Sequence, residues 1–185
     1  MLIRPITDSD LPAVLEVYRQ SEDFLALGPN PHASMEMIAG DRELSRAEGG
    51  EYCGLFTEDG TLMGIFDFVR SGFGGEPGCA YIELLMIAAP YRGRGLGEEA
   101  LRWLESELKD GDPHPQPFSL TREKGEDKPK ISILRAGVQV NNPGAIRFWL
   151  RMGFTITSGA EPQADGTVCY RLEKLLLPLG PGALG

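Results

Sequence analysis

The sequence predicts a mixed α/β fold (α+β), and two observations carry that reading. Segments of strand and helix character follow one another as one strand, two helices, three strands, a helix, a strand, a helix and two strands. One of those strands, residues 80–88, is an almost unbroken apolar run, and glycines at 93, 95 and 97 then open a helix. A chain of 185 residues is expected to form one domain, over residues 1–177, with a disordered tail at 178–185.

Each element has a local reason. Residues 2–5 read as a short strand. Thr7 and Asp10 have capping-box spacing, and Leu11, Val14, Leu15 and Tyr18 give the apolar stripe of a helix whose first turn begins near Ser9 and tolerates Pro12. The Gly28-Pro29-Asn30-Pro31 run demands a loop, and a second helix is expected over 32–46, ended by Gly49-Gly50. Strands at 51–57 and 61–70 flank the Asp59-Gly60 turn, and the glycine-rich stretch 72–78 leads to the apolar strand. After the glycine loop, Leu101, Leu104 and Leu108 line one face of a helix. Residues 109–130, rich in Pro, Gly and charge, read as a mobile loop. A strand over 131–140 precedes a helix capped by Asn142, with Pro143 at its first position and Gly153 at its end. Strands at 154–157 and 167–175 close the pattern.

Composition narrows the functional classes. Asp and Glu number 27 against 18 Lys and Arg, a net charge of −9, so the surface repels nucleic acid at long range. Such a surface also attracts cations, although an acidic balance commonly serves solubility alone. No apolar run of membrane-spanning length occurs and the N-terminus lacks a signal-peptide pattern, so a cytoplasmic protein is expected. Cys53, Cys79 and Cys169 have no ligand spacing, and His32 and His114 have no neighbouring ligands, so no metal site is expected.

The glycine loop is the chief candidate site. Glycines let a ligand approach the backbone closely, and the first N–H groups of the following helix lack intrahelical acceptors at the positive end of its dipole. Arg92 and Arg94 add charge, so residues 92–97 suit a phosphate or pyrophosphate. No Lys-Ser or Lys-Thr follows to make a Walker loop. The dinucleotide fingerprint, counted from Gly93 and Gly95, needs glycine where Glu98 stands. The pattern that remains is Arg92-x-x-Gly95-x-Gly97 after an apolar strand, with Asn142-x-x-Ala145-x-x-Phe148-Trp149 and then Gly153-Phe154 downstream. In these two blocks the chain resembles the GNAT superfamily of acyl-CoA-dependent N-acyltransferases.

The resemblance implies a central, mostly antiparallel mixed sheet with helices on both faces and two splayed central strands. It implies acetyl-CoA as cofactor, its pyrophosphate on Arg92, Gly93, Arg94, Gly95, Leu96 and Gly97. Its pantetheine arm would lie against main-chain groups near Met86, Ile87 and Ala89, with a further contact at Asn142. The acceptor would be a primary amine of a small molecule or peptide, attacking the acetyl carbonyl directly; no nucleic-acid or membrane partner is expected, and a homodimer is compatible with the sequence. Glu83 is the candidate base: strict alternation places it on one face with Leu85 and Ile87, and a carboxylate in such a strand must be solvated, paired or functional. A hydrogen-bonded or substrate-orienting carboxylate is the alternative. Asp67 is the second candidate, either for the substrate ammonium or as the partner of a neighbouring side chain. Trp149 departs from the family's tyrosine, whose hydroxyl protonates the leaving thiolate; an indole N–H donates hydrogen bonds but is no practical acid. That departure keeps open a non-catalytic acyl-CoA sensor or docking module. Residues 24–30, with Phe24, Leu25 and Leu27, are expected to shape the acceptor side.

Overall fold

The computed structural model describes residues 1–110 and 130–176. Its strands are β1 (Leu2–Pro5), β2 (Glu51–Phe56), β3 (Leu62–Val69), β4 (Cys79–Ile87), β5 (Ile133–Gln139), β6 (Thr155–Ile156), β7 (Glu161–Pro162) and β8 (Val168–Leu175). The helices are α1 (Leu11–Arg19), α2 (Glu22–Leu25), α3 (Met35–Ala47), α4 (Leu96–Asp110) and α5 (Pro143–Arg151). The strands join in one sheet of order β1-β2-β3-β4-β5-β8-β6, with β7 also paired to β8. Every pairing is antiparallel except that of β4 with β5. The mixed, mostly antiparallel sheet that the resemblance implies is therefore present.

Helices cover both faces. Leu101, Leu104 and Leu108 of α4 and Trp149 of α5 pack on Phe66, Phe68, Ile82, Leu134 and Ala136. On the other face Val14, Val17 and Tyr18 of α1 and Ile38 of α3 pack on Phe56, Ile65 and Met86. Burying each such aliphatic side chain contributes about 2 kcal/mol before entropy is counted. No helix among the described residues is long and apolar enough to cross a membrane.

Two short elements escaped the sequence reading. Helix α2 forms one turn where no element was assigned, running into the stretch read as loop, and β7 is a two-residue strand between bends. Neither is long enough to show a period. The second helix starts later than the expected residue 32, because Ser34 caps it by accepting the Met37 N–H at 3.1 Å. Residues 109 and 110, read as the start of a loop, remain in α4; residues 111–129 and the expected tail lie outside the described residues.

The end of the β4–β5 pairing coincides with an irregularity at Glu83. On β3, Phe68 stands opposite Ile82 and Asp67 opposite Leu84, so Glu83 is the extra residue of a β-bulge. The parallel pairing of β4 with β5 runs from Cys79↔Ile133 to Ile82↔Ala136 and stops there. The bulge also corrects the expected alternation. Leu85 and Ile87 pack with the α4–α5 core and Leu84 with the α1–α3 core, whereas Glu83 faces Asp67 and Glu48 on the α3 side. One inserted residue shifts the period-two pattern, and Glu83 parts from Leu85 and Ile87.

Candidate active site

The glycine loop follows β4 through a single turn at Ala89–Tyr91. Gly93 and Gly95 take φ values of 73° and 81°, the left-handed region that favours glycine. A Cβ at either would meet nothing within 4 Å, so the hollow above the loop is open. The first residue of α4 to make its backbone bond is Glu99, whose N–H donates to Gly95 O at 3.0 Å. The N–H groups of Leu96, Gly97 and Glu98 find no protein acceptor among the described residues. Gly97 serves packing as well: a Cβ there would stand 3.3 Å from the Phe148 ring on α5.

The two loop arginines differ. The Arg92 guanidinium donates to Ile87 O at 2.8 Å and to both carboxylate oxygens of Asp23 on α2, at 2.5 and 2.9 Å. Arg94 lies over the Tyr91 ring, 5.4 Å from its centroid. Asn142 caps α5, its Oδ1 accepting the Ala145 N–H at 3.0 Å.

Main-chain directions along β4 separate the other proposed contacts. Ala88 donates to Met63 O at 2.9 Å, so by alternation Met86 also turns its N–H and C=O toward β3. Leu85 and Ile87 then turn theirs toward the gap left by β5. The Ala89 N–H is taken by Gln20 O at 3.3 Å. Of Met86, Ile87 and Ala89, only Ile87 borders the gap with its main chain; Leu85, two residues earlier and clear of the bulge, joins it there by the same alternation, although the sequence reading did not name it.

Two hollows meet at this gap. One of about 430 Å³ lies between the glycine loop and α5 and is bordered by Ile87, Arg92, Gly95, Gly97 and Phe148. The other, about 730 Å³, opens on the opposite face between Tyr81, Glu83, Gly137, Phe24 and the 161–167 segment. Both are lined by Leu85, Ala145 and Trp149, which form the seam between them. Trp149 is buried there, edge-on to Phe148 and Phe154 at centroid distances of 5.1 and 4.9 Å.

Glu83 borders the second hollow, and Asp67 is its buried neighbour across the bulge. Burial, together with the charges of Asp67 and Glu48, pushes the Glu83 carboxyl up to about 7. Asp67 is 4% exposed and accepts a hydrogen bond from Ser45 Oγ at 2.7 Å. Burial pushes it up to about 6 against the pull of Ser45, with Asp41 adding to the rise. Tyr81, stacked on Phe73 at 3.8 Å, is raised to about 12 by burial and by Glu83. A carboxylate that titrates near neutrality is suited to take a proton from a reacting group.

Comparison with known proteins decides the family. The family model described as acetyltransferase (GNAT) family matches residues 13–112, more than half of the chain. This chain belongs to the GNAT acetyltransferase family. No curated protein sequence matches it. Among solved structures, an acetyltransferase from Thermus thermophilus is 21% identical with a TM-score of 0.71, covering 95% of this chain and 97% of that one. A ribosomal-protein-alanine N-acetyltransferase from Brucella melitensis is 21% identical with a TM-score of 0.63, covering 95% and 99%. A putative acetyltransferase from Salmonella typhimurium, solved with its cofactor acetyl-CoA, is 19% identical with a TM-score of 0.61, covering 98% of each chain. At these identities the structural likeness is one of fold. GNAT acetyltransferases use acetyl-CoA and act on amines, and the open glycine loop with its free N–H groups fits the phosphates of that cofactor.

Proposed function

We propose that this GNAT protein transfers the acetyl group of acetyl-CoA to a primary amine of a small molecule or peptide by direct attack, with Glu83 as general base. The observation that carries the reading is the position of Glu83: a carboxylate of raised proton affinity at the bulge, bordering the hollow that meets the cofactor-side hollow at Leu85, Ala145 and Trp149. The Gly93–Gly97 backbone and Arg94 hold the pyrophosphate. The main chains of Leu85 and Ile87 line the gap for the pantetheine arm, and Asn142 borders the second hollow. Acetyl-CoA supplies an acyl thioester, already activated toward amines.

The residues of this chain then have three tasks. The seam side chains exclude water and orient the amine toward the gap. Glu83 takes the proton that the amine nitrogen loses as it forms its bond to the acetyl carbon. A main-chain N–H facing the gap, at Leu85 or Ile87, stabilises the charge that develops on the carbonyl oxygen. No side-chain acid is assigned to the departing sulfur, because Trp149 occupies the seam; a thiolate whose conjugate acid has a pKa of about 8.5 leaves without full protonation.

The test is thiol release from acetyl-CoA with a panel of amines, for the wild type and for Glu83→Gln. The variant is expected to lose about a hundredfold or more in turnover while binding CoA as before. Wild-type turnover in a folded Glu83→Gln protein removes the base assignment. Tight acetyl-CoA binding without turnover on any amine favours the sensor reading instead.

A further inference from the structure

Ser45 lies on α3 one turn after Asp41 and is 2% exposed. Its hydroxyl donates to Asp67 Oδ1 at 2.7 Å. The contact is built in tightly: a Cβ on Gly50 would stand 2.7 Å from Ser45 Oγ and 3.2 Å from Asp67 Oδ1, so the chain must turn there without a side chain. Among the described residues Ser45 is the one side chain that hydrogen-bonds Asp67. Beside it only the Phe68 main chain supports the carboxylate, and burying a carboxylate on two hydrogen bonds is costly. The same face holds a second, half-buried carboxylate that is provided for separately, since Asp41 accepts the Tyr18 hydroxyl at 2.6 Å. Asp67 stands opposite Leu84, next to the bulge that carries Glu83.

We propose that Ser45 is a positioning residue for acetyl transfer: its hydroxyl fixes the charge and orientation of Asp67, and Asp67 thereby sets how readily Glu83 takes a proton from the acceptor amine. The proposal rests on Glu83 being the base. The groups facing Glu83 are Asp67 from β3, Glu48 from the end of α3 and Tyr81 from β4. Those facing Asp67 are Asp41 and Ser45 from α3 and Tyr52 and Cys53 from β2. Two neighbouring carboxylates with little water between them resist ionising together, and the one held ionised raises the proton affinity of the other. Ser45 donates to Asp67, so Asp67 is the one held ionised. Without the hydroxyl, Asp67 gains a proton more easily, its repulsion of Glu83 lapses, and Glu83 ionises at lower pH and becomes a weaker base.

The experiment is the pH dependence of turnover with a weakly basic amine that stays unprotonated across the range, so that the acidic limb belongs to the enzyme. Ser45→Ala, Asp67→Asn, the double variant and Glu83→Gln are compared with the wild type. Glu83→Gln should lack the limb. Ser45→Ala and Asp67→Asn should both move it to lower pH, by about one pH unit or a tenfold change in the acid constant, and the double variant should move it no further than Asp67→Asn. A structural hydroxyl would alter stability and leave the limb in place. Asp67→Asn keeps an acceptor for Ser45 and removes the charge, so it tests the idea even where Ser45→Ala does not fold. A limb that coincides with wild type in folded Ser45→Ala, or in folded Asp67→Asn, overturns the proposal. A limb that persists in Glu83→Gln overturns the base assignment itself.

Discussion

Glu83→Gln should make this protein more stable as it makes it less active. The carboxyl has an ordinary value of 4.5 and is pushed up to about 7 in the folded chain, chiefly by burial. A group whose folded value is raised stabilises the fold fully below its unfolded value, and that contribution is lost as pH rises through the folded value. At pH 8 the ionised Glu83 thus opposes folding, and the shift corresponds to roughly 3 kcal/mol. The open side of the cleft screens part of this, so about 1–3 kcal/mol is expected in practice. Glutamine copies the shape of the protonated acid and has no charge to desolvate.

Urea unfolding at pH 8 should therefore show a midpoint higher for Glu83→Gln than for wild type by about 1 M, taking a slope near 2 kcal/mol per molar. At pH 4.5 and below, where the wild-type carboxyl is protonated in the fold, the two midpoints should converge. Equal slopes are needed for the comparison. A variant no more stable than wild type at pH 8, or one whose advantage is the same at both pH values, would refute the claim that burial sets the proton affinity of Glu83. Stability gained where turnover is lost is the usual trade at a catalytic group.

Two further outcomes are expected. Gly95→Asp should leave the protein folded, since a Cβ there meets nothing within 4 Å, and the strain of φ 81° should cost about 1–2 kcal/mol; calorimetry should nevertheless show CoA binding weakened tenfold or more, and unchanged affinity would remove the loop from the cofactor site. Gly64→Ala should destabilise by about 1–3 kcal/mol, because its Cβ would stand 2.6 Å from Met86 O; an unchanged thermal midpoint would contradict the close approach of β3 to β4.

The sequence made some parts of this site legible and hid others for physical reasons. The glycine loop was legible because a left-handed turn and an open helix start restrict residue choice at 93, 95 and 97. Helix α5 was legible for the same kind of reason, since Asn142, Pro143 and Gly153 each fill a terminal position that few residues fill well. The side-chain directions along β4 were not legible. Both faces of that strand pack against apolar cores, so the apolar residues Ile82, Leu84, Leu85, Met86 and Ile87 would satisfy either register, and hydrophobic pattern cannot locate an inserted residue. Ser45 and Tyr81 were hidden for another reason: their contacts depend on neighbours from other parts of the chain, which spacing does not encode.

The bulge at Glu83 links the separate features of the site. A regular strand through residue 83 would keep Glu83 on the face of Leu85 and Ile87, against the α4–α5 core, where a carboxylate has no water and no partner. It would also allow β4 to continue pairing with β5 beyond Ile82, which would consume the main-chain groups of Leu85 and Ile87 and close the seam at Ala145 and Trp149. With one residue inserted, the pairing ends, the two hollows meet, and Glu83 turns to the face where Asp67 and Ser45 stand. The backbone opening between β4 and β5 and the raised proton affinity of Glu83 therefore both sit at the bulge, and neither follows from the glycine loop alone.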